Sequence, residues 1–173
     1  IGRDEQDSDL IELSNRYEKG LITTDAFLSV ASESLGLEDR ETLKALWNRT
    51  ICDFPQRRLA FLEDLKEKGT HRMFLLSNTN ELHMEYVQQK MGENHFQRFR
   101  NCFDGFYLSY QINMRKPEPE IFRHVLGRHG MSADETLFID DTIEHILSAA
   151  SLGLHTWHLR PGKDEVVDLA KQI

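Results

Sequence analysis

Residues 73–80 read MFLLSNTN, and this stretch indicates the fold before any other. Four apolar residues in a row suit a short β-strand that is buried on both faces, as strands of parallel sheets are. Four small polar residues follow at the point where the chain leaves the strand. Ligands of such sheets bind at the carboxyl ends of the strands. The stretch therefore predicts a parallel sheet and a candidate binding loop at residues 77–80.

An alternation of strands and helices continues on both sides of this stretch. An amphipathic helix with Leu59, Leu62 and Leu65 on its inner face precedes it and ends at Gly69. Later elements follow the same pattern: strands near residues 106, 136 and 155, and helices at about 81–91, 119–130, 143–152 and 166–169. Together these elements predict a Rossmann-like α/β fold, a parallel sheet with helices on both faces.

The first part of the chain lacks this alternation. From Leu10 to about Arg49 the apolar residues recur with helical spacing, and Gly36 ends the second of three helical stretches. We therefore expect a small all-helical region over residues 1–54 and an α/β core over residues 55–173.

Composition excludes several classes of function. The chain has 21 Lys and Arg against 29 Asp and Glu, a net charge of −8, which disfavours nucleic acid and anionic membranes as partners. The longest apolar run, Met73–Leu76, is far shorter than the roughly 20 residues that cross a bilayer. Cys52 and Cys102 have the spacing of neither a disulfide scaffold nor a zinc site, so we expect a cytoplasmic protein.

Three groups of polar residues follow predicted strands. The hydroxyls and amides of residues 77–80 suit an anion site at a helix N-terminus, although such residues are also ordinary N-caps. Lys116, between a strand and a helix that begins at Pro119, suits a phosphate-binding charge, or is a solvated loop lysine. Asp140 and Asp141 are adjacent carboxylates that suit Mg²⁺, or Asp N-caps of the next helix.

The order of these groups, serine, then lysine, then paired aspartates, is more specific than any one of them. With Leu75-Leu76-Ser77-Asn78-Thr79, Arg115-Lys116-Pro117 and Phe138-Ile139-Asp140-Asp141, the chain resembles the haloacid dehalogenase superfamily of phosphohydrolases at its second, third and fourth motifs. The sequences Ser77-Asn78-Thr79-Asn80 and Met114-Arg115-Lys116-Pro117 most resemble those of bacterial glucose-1-phosphate phosphatases and of the amino-terminal domain of soluble epoxide hydrolase. The helical region over residues 1–54 resembles the cap of that branch.

This resemblance implies phosphomonoester hydrolysis through an aspartyl-phosphate. Ser77, with help from Asn78, would hold phosphoryl oxygens, and Lys116 would neutralise charge in the transition state. Asp141, together with Asp140, would hold Mg²⁺. The implied partner is a small phosphorylated metabolite, bound by a monomer or a homodimer.

The family's first motif, an apolar strand that ends in DxD, has no counterpart here. The sequence Asp7-Ser8-Asp9 has the spacing, but no apolar strand precedes it and a helical pattern follows. In the family this strand lies between the strands that precede Ser77 and Asp140, and without it two inner strand edges would be unpaired. We therefore expect the native chain to carry the strand and its nucleophile upstream of residue 1. An intact mass near 20.2 kDa would contradict this expectation.

Two other functions compete with the phosphatase. A binding module that keeps the fold and the anion site without a nucleophile fits the chain as given. A receiver-like signalling domain also places acids and a lysine at strand ends, but the helical region and the sequence Ser77-Asn78-Thr79 count against it.

Seven histidines, His145 among them, are expected to be scattered surface or packing residues. Trp47 is expected in the core or, as the less favoured alternative, against the substrate.

Overall fold

A computed structural model of the chain describes residues 3–171 and divides into two compact units, Ile1–Asn113 and Met114–Ile173. The first unit begins with helices α1 (Arg3–Glu18), α2 (Thr24–Leu35) and α3 (Arg40–Asn48), followed by α4 (Gln56–Lys68) and strand β1 (Phe74–Ser77). It continues with α5 (Glu81–Met91), α6 (Glu93–Asn101), β2 (Gly105–Leu108) and the short helix α7 (Ser109–Ile112). The predicted helical region and the first two predicted strands are confirmed.

Helix boundaries in the first unit follow local chemistry. The Thr23 hydroxyl accepts a hydrogen bond from the Ala26 amide at the start of α2, and the Asp39 carboxylate accepts from the Glu41 and Thr42 amides at the start of α3. These side chains satisfy amides that have no partner within the helix. The core of the helical region consists of buried residues from α1, α2, α3 and α5: Leu13, Tyr17, Phe27, Leu28, Ala31, Leu43 and Leu82.

The second unit contains the remaining strands and two helices. Its elements are α8 (Pro119–His129), β3 (Leu137–Asp140), α9 (Ile143–Ser151) and β4 (His155–His158). Ile121 and Phe122 of α8 and Ala149 of α9 are buried, and the Phe122 ring packs edge-on against Phe138 of β3 at 5.0 Å between centroids. The chain then forms a 3-10 helix over Val166–Lys171, where the sequence predicts an α-helix.

The strands form two parallel pairs rather than one continuous sheet. β1 pairs with β2, from Phe74 opposite Gly105 to Ser77 opposite Leu108, and β3 pairs with β4. Within residues 3–171, each strand has one strand partner. Consequently β1 is partly exposed along its whole length, and the prediction of a strand buried on both faces is wrong for it. A strand paired along a single edge leaves its other edge without a strand partner within the described residues.

Helices α6 and α7 are absent from the sequence prediction. The aromatic residues of α6 pack with those that follow it: the Phe99 ring contacts Phe103 and Phe106 edge-on, with 5.2 and 6.0 Å between ring centroids.

None of the helices within residues 3–171 is long and apolar enough to span a bilayer. The division into a cap over residues 1–54 and a core over residues 55–173 stays a prediction.

Candidate functional site

The loop after β1 is held by hydrogen bonds on two sides. The Thr79 amide donates to the Ser109 hydroxyl at 2.9 Å, and that hydroxyl donates to the Thr79 carbonyl at 2.9 Å. The Asn80 side chain accepts from the His83 amide at 3.0 Å and so is the N-cap of α5. Ser109 and Asn80 are both fully buried. The N-cap interpretation therefore holds for Asn80.

Ser77 and Asn78 occupy a different position in this loop. Both are partly exposed, and the Ser77 hydroxyl lies 3.5 Å from the Asn78 carbonyl, a long hydrogen bond. The backbone on both sides of Asn78 is held, because Ser77 pairs with Leu108 in the sheet and Thr79 hydrogen-bonds to the buried Ser109. A hydroxyl on a fixed loop next to a helix N-terminus is a suitable donor to an anion.

A buried ion pair in the second unit joins Lys116 to Asp140. Lys116 is 6% exposed, and its Nζ lies 2.6 Å from Asp140 Oδ2 and 5.5 Å from the Phe138 ring centroid. The interpretation of Lys116 as a solvated loop lysine is therefore wrong. Helix α8 begins three residues after the lysine, at Pro119, and its Phe122 ring packs on Phe138, the residue whose ring lies beneath the Lys116 ammonium.

Asp140 accepts hydrogen bonds on both of its carboxylate oxygens. Oδ1 accepts from the Thr142 amide at 2.9 Å and lies 3.0 Å from His145 Nδ1. Burial acts to raise the pKa of this carboxyl, but the Lys116 charge and the hydrogen bonds from Lys116 and Thr142 outweigh burial, so the pKa lies below its usual value. Asp140 is therefore ionised at neutral pH, and His145 Nδ1 carries the proton that it donates.

His145 is a site residue that sequence reasoning missed. The sequence prediction of scattered histidines is wrong for it, since it contacts Asp140 from the first turn of α9. The only available signal was position: a helix that starts just after Asp140 turns the side chain of its third residue back toward the strand end. Trp47, by contrast, is partly buried and donates its indole N–H to Asn80 at 3.3 Å.

Asp141 differs from Asp140 in its surroundings. Its side chain is exposed, and its backbone carbonyl lies 3.1 Å from His158 Nε2. Within the described part of the chain no three His, Cys, Asp or Glu side chains cluster as a metal site. Mg²⁺ is commonly bound by one or two carboxylates, with waters and substrate phosphate completing its octahedron. The donor chemistry of Asp141, with Asp140 beside it, fits such an ion.

The structure thus brings Lys116 and Asp140 together and leaves Asp141 open next to them. Ser77 and Asn78 lie in the other compact unit, at the end of β1. The DxD sequence lies within α1, where Ser8 and Asp9 are exposed; the side chain of Asp7 is outside the described residues.

Comparisons with known proteins identify relatives that are named as phosphatases. A sesquiterpene phosphatase, astK of Aspergillus oryzae, is 29% identical over 165 residues, which cover 94% of this chain and 80% of that protein. A D-ribitol-5-phosphate phosphatase of Bacteroides thetaiotaomicron is 29% identical over 148 residues, which cover 85% of this chain and 71% of that protein.

A solved structure extends the likeness to three dimensions. An aspartate-to-alanine mutant of a HAD family enzyme from B. thetaiotaomicron, in complex with magnesium and inorganic phosphate, is 36% identical, with a TM-score of 0.78. The match covers 87% of this chain and 74% of that one. A family model described as haloacid dehalogenase-like hydrolase matches residues 14–153. Because this model spans most of its length, the chain belongs to the haloacid dehalogenase-like hydrolase family.

Proposed function

We propose that the protein is a Mg²⁺-dependent phosphatase that hydrolyses a small phosphorylated metabolite through an aspartyl-phosphate. The observation that carries the proposal is the buried Lys116–Asp140 pair at the end of β3, next to the exposed carboxylate of Asp141. The names of two relatives support it, since both are called phosphatases. The neighbouring structure that contains magnesium and phosphate supports the choice of ion and of ligand class.

Ser77 and Asn78 have the role of holding phosphoryl oxygens. A hydroxyl and an amide donate hydrogen bonds without adding charge, so they orient the group that a cation neutralises. Their loop is already fixed by Ser109 and Asn80, and binding therefore costs little ordering of the backbone.

Lys116 has the role of stabilising negative charge that develops on the phosphoryl group. Its ammonium group is held by Asp140 in a buried position, so it does not have to be reoriented during the reaction. Asp140 is in turn oriented by Thr142 and His145. These contacts make Asp140 the residue that positions Lys116, in addition to its proposed role at the metal.

Asp141, together with Asp140, would hold Mg²⁺, which when bound neutralises charge on the phosphate. The nucleophile is not assigned to Asp7 or Asp9, because both lie in a helix and the role requires the end of a strand. The thiols of Cys52 and Cys102 are free, which supports the proposal of a reducing, cytoplasmic location.

The test is phosphate release from p-nitrophenyl phosphate and from a panel that includes D-ribitol 5-phosphate and a phosphorylated sesquiterpene alcohol. We expect turnover that requires Mg²⁺ and is abolished by EDTA. Asp141→Asn should lower kcat/KM by on the order of 100-fold. The matched control is Asp134→Asn, a substitution at another exposed aspartate of the same unit, which should leave the rate unchanged.

Two outcomes would overturn the proposal. Turnover that survives both EDTA and Asp141→Asn would contradict the role of Mg²⁺ and of this carboxylate. No turnover of any ester by a full-length chain whose mass has been verified, combined with saturable binding of inorganic phosphate in a calorimeter, would instead identify the protein as a non-catalytic binding module.

A further inference from the structure

Three residues of the first unit close a ring of hydrogen bonds, which we call the Asn80 ring: Trp47 of α3, Asn80, and His83 of α5. Asn80 Oδ1 accepts from the Trp47 indole N–H at 3.3 Å and from the His83 amide at 3.0 Å. Asn80 Nδ2 lies 3.2 Å from His83 Nδ1, and His83 Nε2 lies 3.2 Å from the Trp47 carbonyl. The ring therefore connects α3 to the residue that ends the loop at 77–80.

The chemistry of the partners fixes every proton in the Asn80 ring. The indole and the backbone amide can only donate, so the side-chain oxygen of Asn80 must face them and its NH₂ group must face His83. His83 Nδ1 is therefore the acceptor. His83 Nε2 faces a carbonyl and so carries the hydrogen. The ring is complete only when His83 is neutral and protonated on Nε2.

A second proton on His83 would break this arrangement. Nδ1–H would then face the NH₂ group of Asn80, donor against donor. Rotating the Asn80 side-chain amide by half a turn would bring Oδ1 to Nδ1–H. It would also turn the NH₂ group toward the Trp47 indole N–H and the His83 backbone amide, both of which would lose their acceptor. Because Asn80 is fully buried, water cannot replace the lost partner, and an unsatisfied buried group is unfavourable.

The surroundings of His83 also oppose protonation. Burial lowers the pKa of His83, and the hydrogen bond with the Trp47 carbonyl and the charge of Glu18, on α1, act in the opposite direction. The imidazole stacks on the Trp47 indole with 5.3 Å between ring centroids and 21° between planes.

A separate chain of hydrogen bonds joins the helical region to the same turn of α5. The Leu82 amide donates to the Tyr17 hydroxyl at 3.2 Å, which lies 2.8 Å from the Thr24 hydroxyl, and Thr24 donates to Glu81 at 2.5 Å. No imidazole takes part in this chain of four residues. Opening the Asn80 ring would therefore remove the hydrogen bonds between α3 and this turn of α5, while those from α1 and α2 to α5 remain.

We propose that Asn80 is a positioning residue whose ring with Trp47 and His83 fixes the loop at residues 77–79 against α3, and that protonation of His83 opens this ring. The effect on catalysis rests on the proposed function, because it requires Ser77 and Asn78 to bind the phosphoryl group. The ring itself does not.

The test is a ¹⁵N NMR titration of the histidine rings in the full chain, for the wild type and for Asn80→Asp. In the wild type, ¹⁵N shifts at neutral pH should show His83 protonated on Nε2, and His83 should titrate below its ordinary value of about 6.5. A carboxylate in place of the amide accepts from Nδ1–H, so Asn80→Asp should raise the His83 titration by at least about one pH unit.

The matched control is Gln88→Glu, which makes the same neutral-to-acidic change on an exposed face of α5 away from the ring and should not shift His83. A neutral-pH tautomer protonated on Nδ1, or equal shifts in Asn80→Asp and Gln88→Glu, would overturn the proposal. If Asn80→Asp fails to fold, the tautomer of the wild type decides by itself.

A catalytic readout separates this inference from the proposed function. In an active phosphatase, KM for p-nitrophenyl phosphate should rise as pH falls through the His83 titration, and Asn80→Asp should abolish that rise, because its carboxylate accepts from Nδ1–H and keeps the ring closed when His83 is protonated. An unchanged KM profile alongside the predicted NMR shifts would refute the positioning role. If no ester is hydrolysed, the proposed function fails while the NMR result still tests the ring.

Discussion

Replacing Lys116 with methionine should destabilise the protein by about 3 to 5 kcal/mol, because it removes one partner of a buried ion pair and leaves the other charge in place. The Asp140 side chain is 8% exposed, so water cannot take over the role of the ammonium. Methionine has nearly the same length, so little of the loss comes from an empty cavity. Thr142 and His145 still donate to Oδ1, which places the expected loss at the lower end of that range, near 3 kcal/mol.

The assay is urea unfolding at neutral pH with EDTA present, followed by tryptophan fluorescence. Trp157 of β4 lies opposite Ile139 in the sheet that contains Asp140 and so reports on this unit. The matched control is Lys68→Met, which breaks an ion pair with Asp64 of similar length, 2.6 Å, on the exposed face of α4. It should change the free energy of unfolding by no more than about 0.5 kcal/mol.

A double variant, Lys116→Met with Asp140→Asn, tests whether the loss comes from the unpaired charge. Removing that charge should recover at least about 1 kcal/mol relative to the sum of the two single variants. A loss below about 1 kcal/mol for Lys116→Met, or strict additivity in the double variant, would refute the reasoning that Lys116 compensates a buried carboxylate.

Two further predictions concern the first unit. Gly20 has φ +64° and a Cβ there would lie 2.2 Å from the Tyr110 carbonyl oxygen, so Gly20→Ala should cost at least about 2 kcal/mol in urea unfolding. Gly36→Ala, at φ +63° in open space, should cost only about 1 kcal/mol, and equal losses would contradict the clash. The Lys66 ammonium holds the pKa of Asp104 below its usual value, so this pair stabilises the protein above about pH 4 and the contribution is lost as pH falls through the lowered pKa. Asp104→Asn should therefore lower stability by up to about 1 kcal/mol near neutral pH and by nothing in strong acid, and a difference that persists in acid would contradict the ion pair.

The sequence was sufficient for the features that depend on neighbouring residues. The four predicted strands are present close to their predicted positions, and Ser77, Lys116 and Asp140 stand at or after strand ends in the expected order. A strand end is a local property, since alternating apolar and polar stretches and a capping residue define it within a few positions. The family resemblance rests on the same short stretches, whereas its closer likeness to glucose-1-phosphate phosphatases stays a prediction.

Partners that are distant in the sequence were beyond such reasoning. Whether Lys116 is solvated or buried depends on Asp140, 24 residues away, and on how α8 packs over β3. In the sequence, His145 looks like any other residue of a helix. Its contact with Asp140 follows from where α9 begins, because that start sets the direction of its side chain. The sequence determined which groups stand at the strand ends, but only the tertiary structure decided which of them are buried, paired and ionised, because burial and charge depend on neighbours that folding brings together.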